Sequence, residues 1–340
     1  MQSIYFSFSG SFSESLLQEL AEYIKKSLQS FEFNSFLVGC SFPYSLSEDE
    51  KSLLKKEFHF ALVKKLESVL EKKPDFSNPH ISITIDFNAR KINWEIRSVF
   101  IEGNYNKFSR KIAQTIFFCP KCKGNGCAYC RQKGKLGLES VEELIGKPAQ
   151  KLFQASSFLF HGSGREDVDV CMLGNGRGFV LELLGPKKRL ADLKKLEIEI
   201  NKTAKKKISV HSLVFSNKKR VIELKEKRSF KKYHCIIDCS KPILETKLKE
   251  LVGKEWVVLQ QTPLRVIKRR SDLERKRTVK IVSIQKKSKK QFEVTVLAEA
   301  GLYIKEFVNG DSNRTKPNFS SLLENDCSCT QLDVIEILDP

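Results

Sequence analysis

The sequence predicts an α+β chain: a long mixed or antiparallel sheet in its second half, preceded by a small α/β region and a four-cysteine knot. Three observations carry this. Two segments of helical spacing and an alternating hairpin fill residues 1–115, cysteines at C-x2-C-x4-C-x2-C spacing follow at 119–130, and from 165 onward short alternating segments recur with only brief helical stretches between them.

The elements read in order as follows. ESLLQELAEYIKKSL (14–28) and SEDEKSLLKKEFHFALVKKLESVLEK (47–72) repeat apolar residues at helical spacing, and Ser47 stands as an N-cap ahead of an acidic first turn. ISITIDFNARKINWEIRSVFIEG (81–103) alternates around Asn88-Ala89-Arg90, the pattern of a β-hairpin. SVEELI (140–145) opens a helix, because Ser140 and Glu143 have capping-box spacing. Beyond it, DVDVCML and GFVLELL predict two strands paired across Gly174-Asn-Gly-Arg-Gly178 as a flexible basic turn. A helix near 190–205, strands ISVHSLVFS and YHCIIDC, a helix near 243–252, and strands EWVVLQQ, VKIVSI and FEVTVLAEA follow. KKSKK (286–290) fits an exposed hairpin turn, and LDVIEIL is a last strand.

With 340 residues the chain can bury the cores of two or three domains. A hydrophobic content of 41% with 24 Phe excludes a disordered chain. No apolar run approaches the roughly 18–20 residues that span a bilayer, and the start MQSIYFSFSGSFSESLL lacks the pattern of a secretory signal. The expectation is a cytoplasmic protein that is a monomer and has no membrane partner. Lys and Arg number 60 against 41 Asp and Glu, a formal charge of +19. Six basic runs (KKRLADLKK, KTAKKK, NKKR, KEKRSFKKY, KRRSDLERKR and KKSKK) crowd the second half. Any one of them could be a solvated face. Together they point to a polyphosphate partner, because neutralising phosphates releases counterions.

Cys119, Cys122, Cys127 and Cys130 form two C-x2-C turns with Gly124 and Gly126 between them, a spacing that resembles the glycine-rich knuckle of DnaJ-type zinc domains. Four thiolates so placed can surround a tetrahedral zinc at about 2.3 Å, and four ligands leave no open position for catalysis. The alternatives are two local disulfides, which an intracellular chain disfavours, and a redox C-x2-C, which needs no second pair. The other six cysteines (40, 171, 235, 239, 327 and 329) read as ordinary buried or half-buried thiols.

HGSGREDVDV (161–170) places three carboxylates within four residues of a very basic chain. Read plainly, it is a Gly-Arg-Glu-Asp turn entering a strand. Gly162 and Gly164, however, let a backbone or ligand approach closely, and an arginine beside the carboxylate keeps it ionised near a polyanion. Arg165 is the arginine expected to do this. An ionised Asp167 beside a sugar can act as base or nucleophile. No phosphate-cradling GxxxxGK[ST] is present.

HGSGREDVDV, followed by MLGNGRGFVLEL and a Pro-Lys-Lys-Arg, resembles the archaeal and eukaryotic tRNA pseudouridine synthase family that modifies the T-loop at uridines 54 and 55. FIEGNYNKFSRKIAQT (100–115) resembles the end of that family's RNA-binding THUMP-like domain. ESVEELI, QQTPLRVIKRRSDL (260–273) and AEAGLYIKEFVNGD with RTKP (298–317) resemble its catalytic-domain signatures. The chain departs from the pattern at Cys171 and Gly178, where Arg and Pro are expected, and at Ala113 and Ile116, where prolines are usual.

The resemblance implies a THUMP-like RNA-binding domain over 1–115, a zinc-knuckle linker over 116–135 and a pseudouridine synthase catalytic domain over 136–340. It implies Asp167 as the catalytic aspartate, Tyr233 as a ring stacked on the target base, and Tyr303 and Lys305 as the tyrosine and basic residue of a third motif, with Lys305 a partner for Asp167. It also implies that Leu322 or Leu323 is the apolar residue under the pocket. The implied activity is uridine-to-pseudouridine isomerisation in the T-loop of tRNA, with one structural zinc and no organic cofactor. Runs 187–207 and 265–290 are candidates for contact with the tRNA backbone. Two alternatives are weighed against it. One is a non-catalytic tRNA-binding protein using the same basic surface and knuckle. The other is a thiol enzyme built on the cysteine cluster.

Overall fold

The computed structural model describes residues 12–42, 46–137 and 139–338. In chain order the elements are α1 (Glu14–Leu28), β1 (Ser35–Ser41), α2 (Glu48–Leu70), β2 (Lys73–Pro74), β3 (Ile81–Asp86), β4 (Lys91–Ile96) and β5 (Val99–Lys107). Next come α3 (Val141–Phe153), β6 (Ser157–Gly162), β7 (Cys171–Leu184), α4 (Leu193–Thr203), β8 (Ile208–Ser216), α5 (Lys218–Glu226) and β9 (Phe230–Cys239). The chain continues through α6 (Glu245–Lys249), β10 (Glu255–Gln261), β11 (Glu274–Lys286), β12 (Gln291–Ala298), α7 (Ile304–Asn309), β13 (Thr315–Lys316), α8 (Phe319–Leu323) and β14 (Cys327–Leu338). Two compact units result: residues 1–100, 147–159 and 181–192 form the first, and 101–146, 160–180 and 193–340 the second. Among the described residues no helix is long and apolar enough to cross a membrane.

The first unit packs two helices on a four-stranded sheet of order β2-β1-β3-β4. Helix α1 starts where the Ser13 hydroxyl accepts from the Leu16 amide, and it buries Leu17, Leu20, Ala21, Ile24 and Leu28 along one stripe. Helix α2 starts at the expected Ser47, in a reciprocal capping box with Glu50. Its Phe58, Leu62 and Leu66 join Phe36 and Val38 of β1 and Ile81, Ile83 and Ile85 of β3 in one core. Asp86 caps the β3–β4 turn by accepting from the Asn88 and Ala89 amides, so the expected hairpin forms. Strand β1 (SFLVGCS) was not foreseen; it runs parallel to β3, which requires the long α2 crossover between them.

The second unit is built on a ten-stranded sheet of order β13-β10-β11-β12-β9-β14-β7-β5-β8, with β6 beside β7. It is mixed: β10, β11, β12, β9 and β14 pair antiparallel in that order, and β14 pairs parallel with β7. KKSKK closes the β11–β12 hairpin as expected.

One expectation fails. Residues 174–178 are not a turn between two strands, because β7 runs unbroken through them. Gly174 (φ +57°) lies so close to β14 that a Cβ there would stand 1.9 Å from the Ile335 carbonyl oxygen. Asn175 fastens the kink by exchanging hydrogen bonds with the Ile337 backbone. The glycines allow a bulged strand pressed against its neighbour, not a loop facing solvent.

Phe58 is fully buried with ring centroids 4.5 Å from Phe12 and 5.1 Å from Phe87. Phe58→Ala is expected to cost about 3–5 kcal/mol, read as a lower denaturation midpoint of the first unit.

Candidate active site

Residues 163–170, between β6 and β7, carry the three carboxylates, and the second unit grips this loop from beneath. Glu166 points into the core, where Tyr105 donates its hydroxyl to both carboxylate oxygens at 2.8 and 3.0 Å. Arg177 Nε lies 2.8 Å from Glu166 Oε2 with both side chains 1% exposed, an ion pair whose angle falls short of a hydrogen bond. Arg177 also donates to the Ser163 carbonyl at 2.6 Å, and Gln114 donates to Tyr105 Oη and to the Gly164 carbonyl. Burial favours the neutral guanidine, but the Glu166 charge outweighs it and holds the Arg177 pKa above its ordinary value.

Lys107, on β5 and buried, donates to the carbonyls of Ile112, Asp167 and Val168 at 3.2, 3.0 and 2.8 Å. Burial lowers its pKa, against the pull of the Glu166, Asp169 and Asp167 carboxylates. Arg110 binds the carbonyls of Asp169 and Leu332 and the Asp333 carboxylate. Two cations and a buried ion pair therefore fix the backbone of a loop that has no ladder of its own.

The fixed loop forms one wall of a cleft of about 680 Å³. Arg165, Asp167, Tyr233, Tyr303 and Lys305 all line it, so five of the seven residues expected to act on or bind the substrate come together from three separate segments of the chain. Half-buried Tyr233 comes from β9; burial pushes its pKa up to about 12, with Arg177 opposing, which keeps its hydroxyl protonated. Tyr303 caps α7 and is held at both backbone polar atoms by the buried Gln260 side chain of β10, at 2.7 and 3.0 Å. Its hydroxyl accepts from Arg270 at 3.2 Å.

Of the two cations expected beside Asp167, Lys305 is within ion-pair reach and Arg165 is not. Arg165 does not pair with Asp167; its guanidinium lies 5.5 Å from the Phe117 ring centroid. The cation on Asp167 is Arg265, with Nη1 2.9 Å from Oδ2. Lys305 stands 3.5 Å from Asp167 Oδ2 but donates to both oxygens of Asp169, at 2.8 and 2.7 Å. Burial raises the Asp169 pKa, and the Lys305 hydrogen bond and charge overcome that to hold it below the ordinary carboxylate value.

Leu322 and Leu323 do not line the cleft either. Asn318 caps α8 and directs its apolar side inward, where the Phe319 ring meets Phe307 at 5.2 Å and Phe292 at 5.8 Å, and Leu323 is buried with it. The apolar wall is made by Leu332 and Val334 of β14 and by Leu302. Alternation in QLDVIEI was the signal for Leu332. For Arg265 the signal was the PLRV arginine of QQTPLRVIKRRSDL, a stretch read as a catalytic-domain signature without a role for that residue.

Cys119, Cys122, Cys127 and Cys130 converge as the spacing predicts. Their sulfurs lie within 4.8 Å of one another, with close pairs at 3.7–3.8 Å. Thiolates about 2.3 Å from a tetrahedral ion stand about 3.8 Å apart, so this set can hold a metal ion. Amides of Cys127 and Gly134 already point at Cys130 Sγ, at 3.3 and 3.2 Å. Elsewhere, Cys239 and Cys327 lie opposite each other on β9 and β14 with sulfurs 3.3 Å apart, both as free thiols.

Among the described residues Arg177 pairs with no other carboxylate, so Glu166→Gln is expected to strand a buried charge. The cost is about 3–5 kcal/mol in denaturant unfolding, larger than for any cleft-facing substitution.

Comparison with known proteins gives the lineage. The family description "Pus10, C-terminal" matches residues 100–338, and "Pus10 THUMP domain, archaeal" matches 20–86. Proteins named tRNA pseudouridine synthase Pus10 are similar over nearly the whole chain. The one from Methanopyrus kandleri is 39% identical, covering 95% of this chain and 78% of its own. Those from Korarchaeum cryptofilum (36% identical, 95% and 91% covered) and Archaeoglobus fulgidus (37%, 94% and 92%) are similar over comparable lengths. A solved Cbf5-Nop10-Gar1 complex aligns over 58% of this chain and 44% of that one at 15% identity, with a TM-score of 0.34, too low to bear on the site. On the strength of the two family matches and these relatives, the chain belongs to the Pus10 family of pseudouridine synthases.

Proposed function

We propose that this protein isomerises uridine to pseudouridine in the T-loop of tRNA, at position 54, 55 or both, with Asp167 as the catalytic carboxylate. The observation that carries the proposal is the Asp167 carboxylate itself. It is set in a cleft large enough for a nucleotide, held by Arg265, and flanked by Tyr233, Tyr303 and Lys305.

The reaction breaks the C1′–N1 glycosidic bond, turns the uracil and joins C1′ to C5. The proton on C5 is lost and one is gained at N1, so the atoms balance with no redox step and no energy source. The target nucleoside must first leave its stack, at a cost of a few kcal/mol, which contacts to the rest of the tRNA offset. Tyr233 offers a ring face, worth about 1–3 kcal/mol for a stacked base. Asp167 then acts at the ribose, as nucleophile at C1′ or as base toward the 2′ hydrogen. The apolar wall of Leu302, Leu332 and Val334 excludes water from the detached uracil, and orientation of that fragment supplies much of the remaining acceleration. Arg165, Arg270 and the basic runs 187–207 and 265–290 are suited to the phosphates of the tRNA backbone.

We also infer that the metal held by Cys119, Cys122, Cys127 and Cys130 is zinc, in a structural role. A closed four-sulfur set suits that ion and leaves it no position for substrate.

Mass-spectrometric mapping of an unmodified tRNA transcript is expected to show pseudouridine at 54, 55 or both with the wild-type protein. With Asp167→Asn the signal should fall by at least about 10²–10⁴-fold while tRNA affinity stays within a few-fold. Near-full activity in Asp167→Asn would overturn the assignment. Elemental analysis is expected to find one zinc per chain, and Cys122→Ser or a strong chelator to remove it and lower the melting temperature. Protein that folds and melts as wild type without metal would sink the zinc inference.

A further inference from the structure

Five charges of alternating sign run through the cleft. Asp169 Oδ2 lies 2.7 Å from Lys305 Nζ, which lies 3.5 Å from Asp167 Oδ2. That oxygen lies 2.9 Å from Arg265 Nη1, and Arg265 Nε lies 2.6 Å from Glu306 Oε1. Two cations thus compete for Asp167, and three observations decide between them.

The first is distance: Arg265 is at ion-pair contact with Asp167, whereas Lys305 makes its two close contacts to Asp169. The second is the difference between the two ends of the run. The Glu306 side chain is 4% exposed and the Asp169 side chain 63%. Ions and water screen the open end and leave the closed end nearly unscreened, so Arg265 is anchored and Lys305 is only tethered. Lys305 and Glu306 adjoin in the first turn of α7, and their successive side chains leave the helix in different directions, one to each end. The third observation is shape. Arg265 spends its Nε and Nη2 on the two oxygens of Glu306, at 2.6 and 3.5 Å, and still presents Nη1 to Asp167. A planar fork can hold two carboxylates at fixed angles, and an ammonium cannot.

We propose that Arg265, clamped from behind by Glu306, is the positioning residue of Asp167, and that Lys305, tethered to the exposed Asp169, is the cation that meets the incoming RNA. The proposal rests on Asp167 being the catalytic carboxylate. Arg265 acts through that group. Substrate entry can draw Lys305 away from Asp169 at little cost, because the Lys305–Asp169 pair is the screened one. Arg265 stays in place, because leaving would strand Glu306 as a buried, unpaired charge.

The test is steady-state pseudouridine formation on a tRNA transcript, with kcat and KM measured separately for Arg265→Lys, Arg265→Gln, Glu306→Gln and Lys305→Gln. Each variant is checked by circular dichroism and thermal melting. Arg265→Lys and Arg265→Gln are both expected to lose about a hundredfold in kcat with KM little changed, the penalty for a misplaced reacting group. Glu306→Gln should move kcat the same way by less, and Lys305→Gln should chiefly raise KM. Should Arg265→Gln fail to fold, Arg265→Lys, which keeps the charge, carries the test alone. Wild-type kcat in Arg265→Lys, or a larger loss of kcat in Lys305→Gln than in Arg265→Lys, overturns the proposal. Persistent activity in Asp167→Asn would instead defeat the reading beneath it, whatever Arg265 does.

Discussion

The contact on which the second unit depends is the buried pair of Glu166 and Arg177, enclosed with Tyr105 and Gln114. A charge pair taken out of water gains little stability over a well-packed apolar pair. What it gives here is position. Glu166 precedes Asp167 in the chain, so fixing the first carboxylate in the core fixes the direction in which the second leaves it. Burial works against the charge on Arg177, but the Coulomb field of Glu166 outweighs it and keeps the guanidinium charged, so the anchor does not titrate away under ordinary conditions.

The same logic explains why a strongly basic chain concentrates three acids in Arg-Glu-Asp-Val-Asp. Each has its own cation and its own degree of contact with solvent. Glu166 is wholly inside with Arg177, Asp167 stands at the cleft surface with Arg265, and Asp169 is outermost with Lys305. Lys107 ties the backbone of this stretch to β5 through two of its carbonyls, so the three side chains fan out from a rigid base. Net charge describes the surface that attracts a polyanion. The local acids describe the machinery under that surface.

Features written in neighbouring residues were legible in the sequence. Helices α1 and α2, the N-cap at Ser47, the β3–β4 hairpin and the turn at 286–290 all come from signals within a few positions. The cysteine cluster was legible for the same reason, since both chelating pairs are local. Three kinds of feature were hidden. Glycines at 174, 176 and 178 look like a turn, but glycine marks close approach as well as reversal, and only the neighbouring strand shows which. Besides Lys305, the adjacent Arg165 reads as a cation for Asp167, yet extended chain sends neighbouring side chains apart, and Arg265 arrives from beyond another strand's end. Lys107 carries no sign in sequence that it is buried, because its carbonyl partners are unremarkable residues. Leu332 was within a strand correctly read as such, while the nearby leucine pair drew attention away from it.

Strand β14, drawn from residues 327–338, does not lie at a margin of the large sheet. It is inserted between β9 and β7, and it supplies Leu332 and Val334 to the cleft. During synthesis, every earlier strand of that sheet must therefore wait with a gap in its middle. β9 and β7 each present an unpaired edge until this late segment emerges and joins them. Such a centre is closed by a contact of long sequence separation, which makes assembly slow and leaves sticky borders open in the meantime. The cleft is complete only once β14 is in place between its two neighbours.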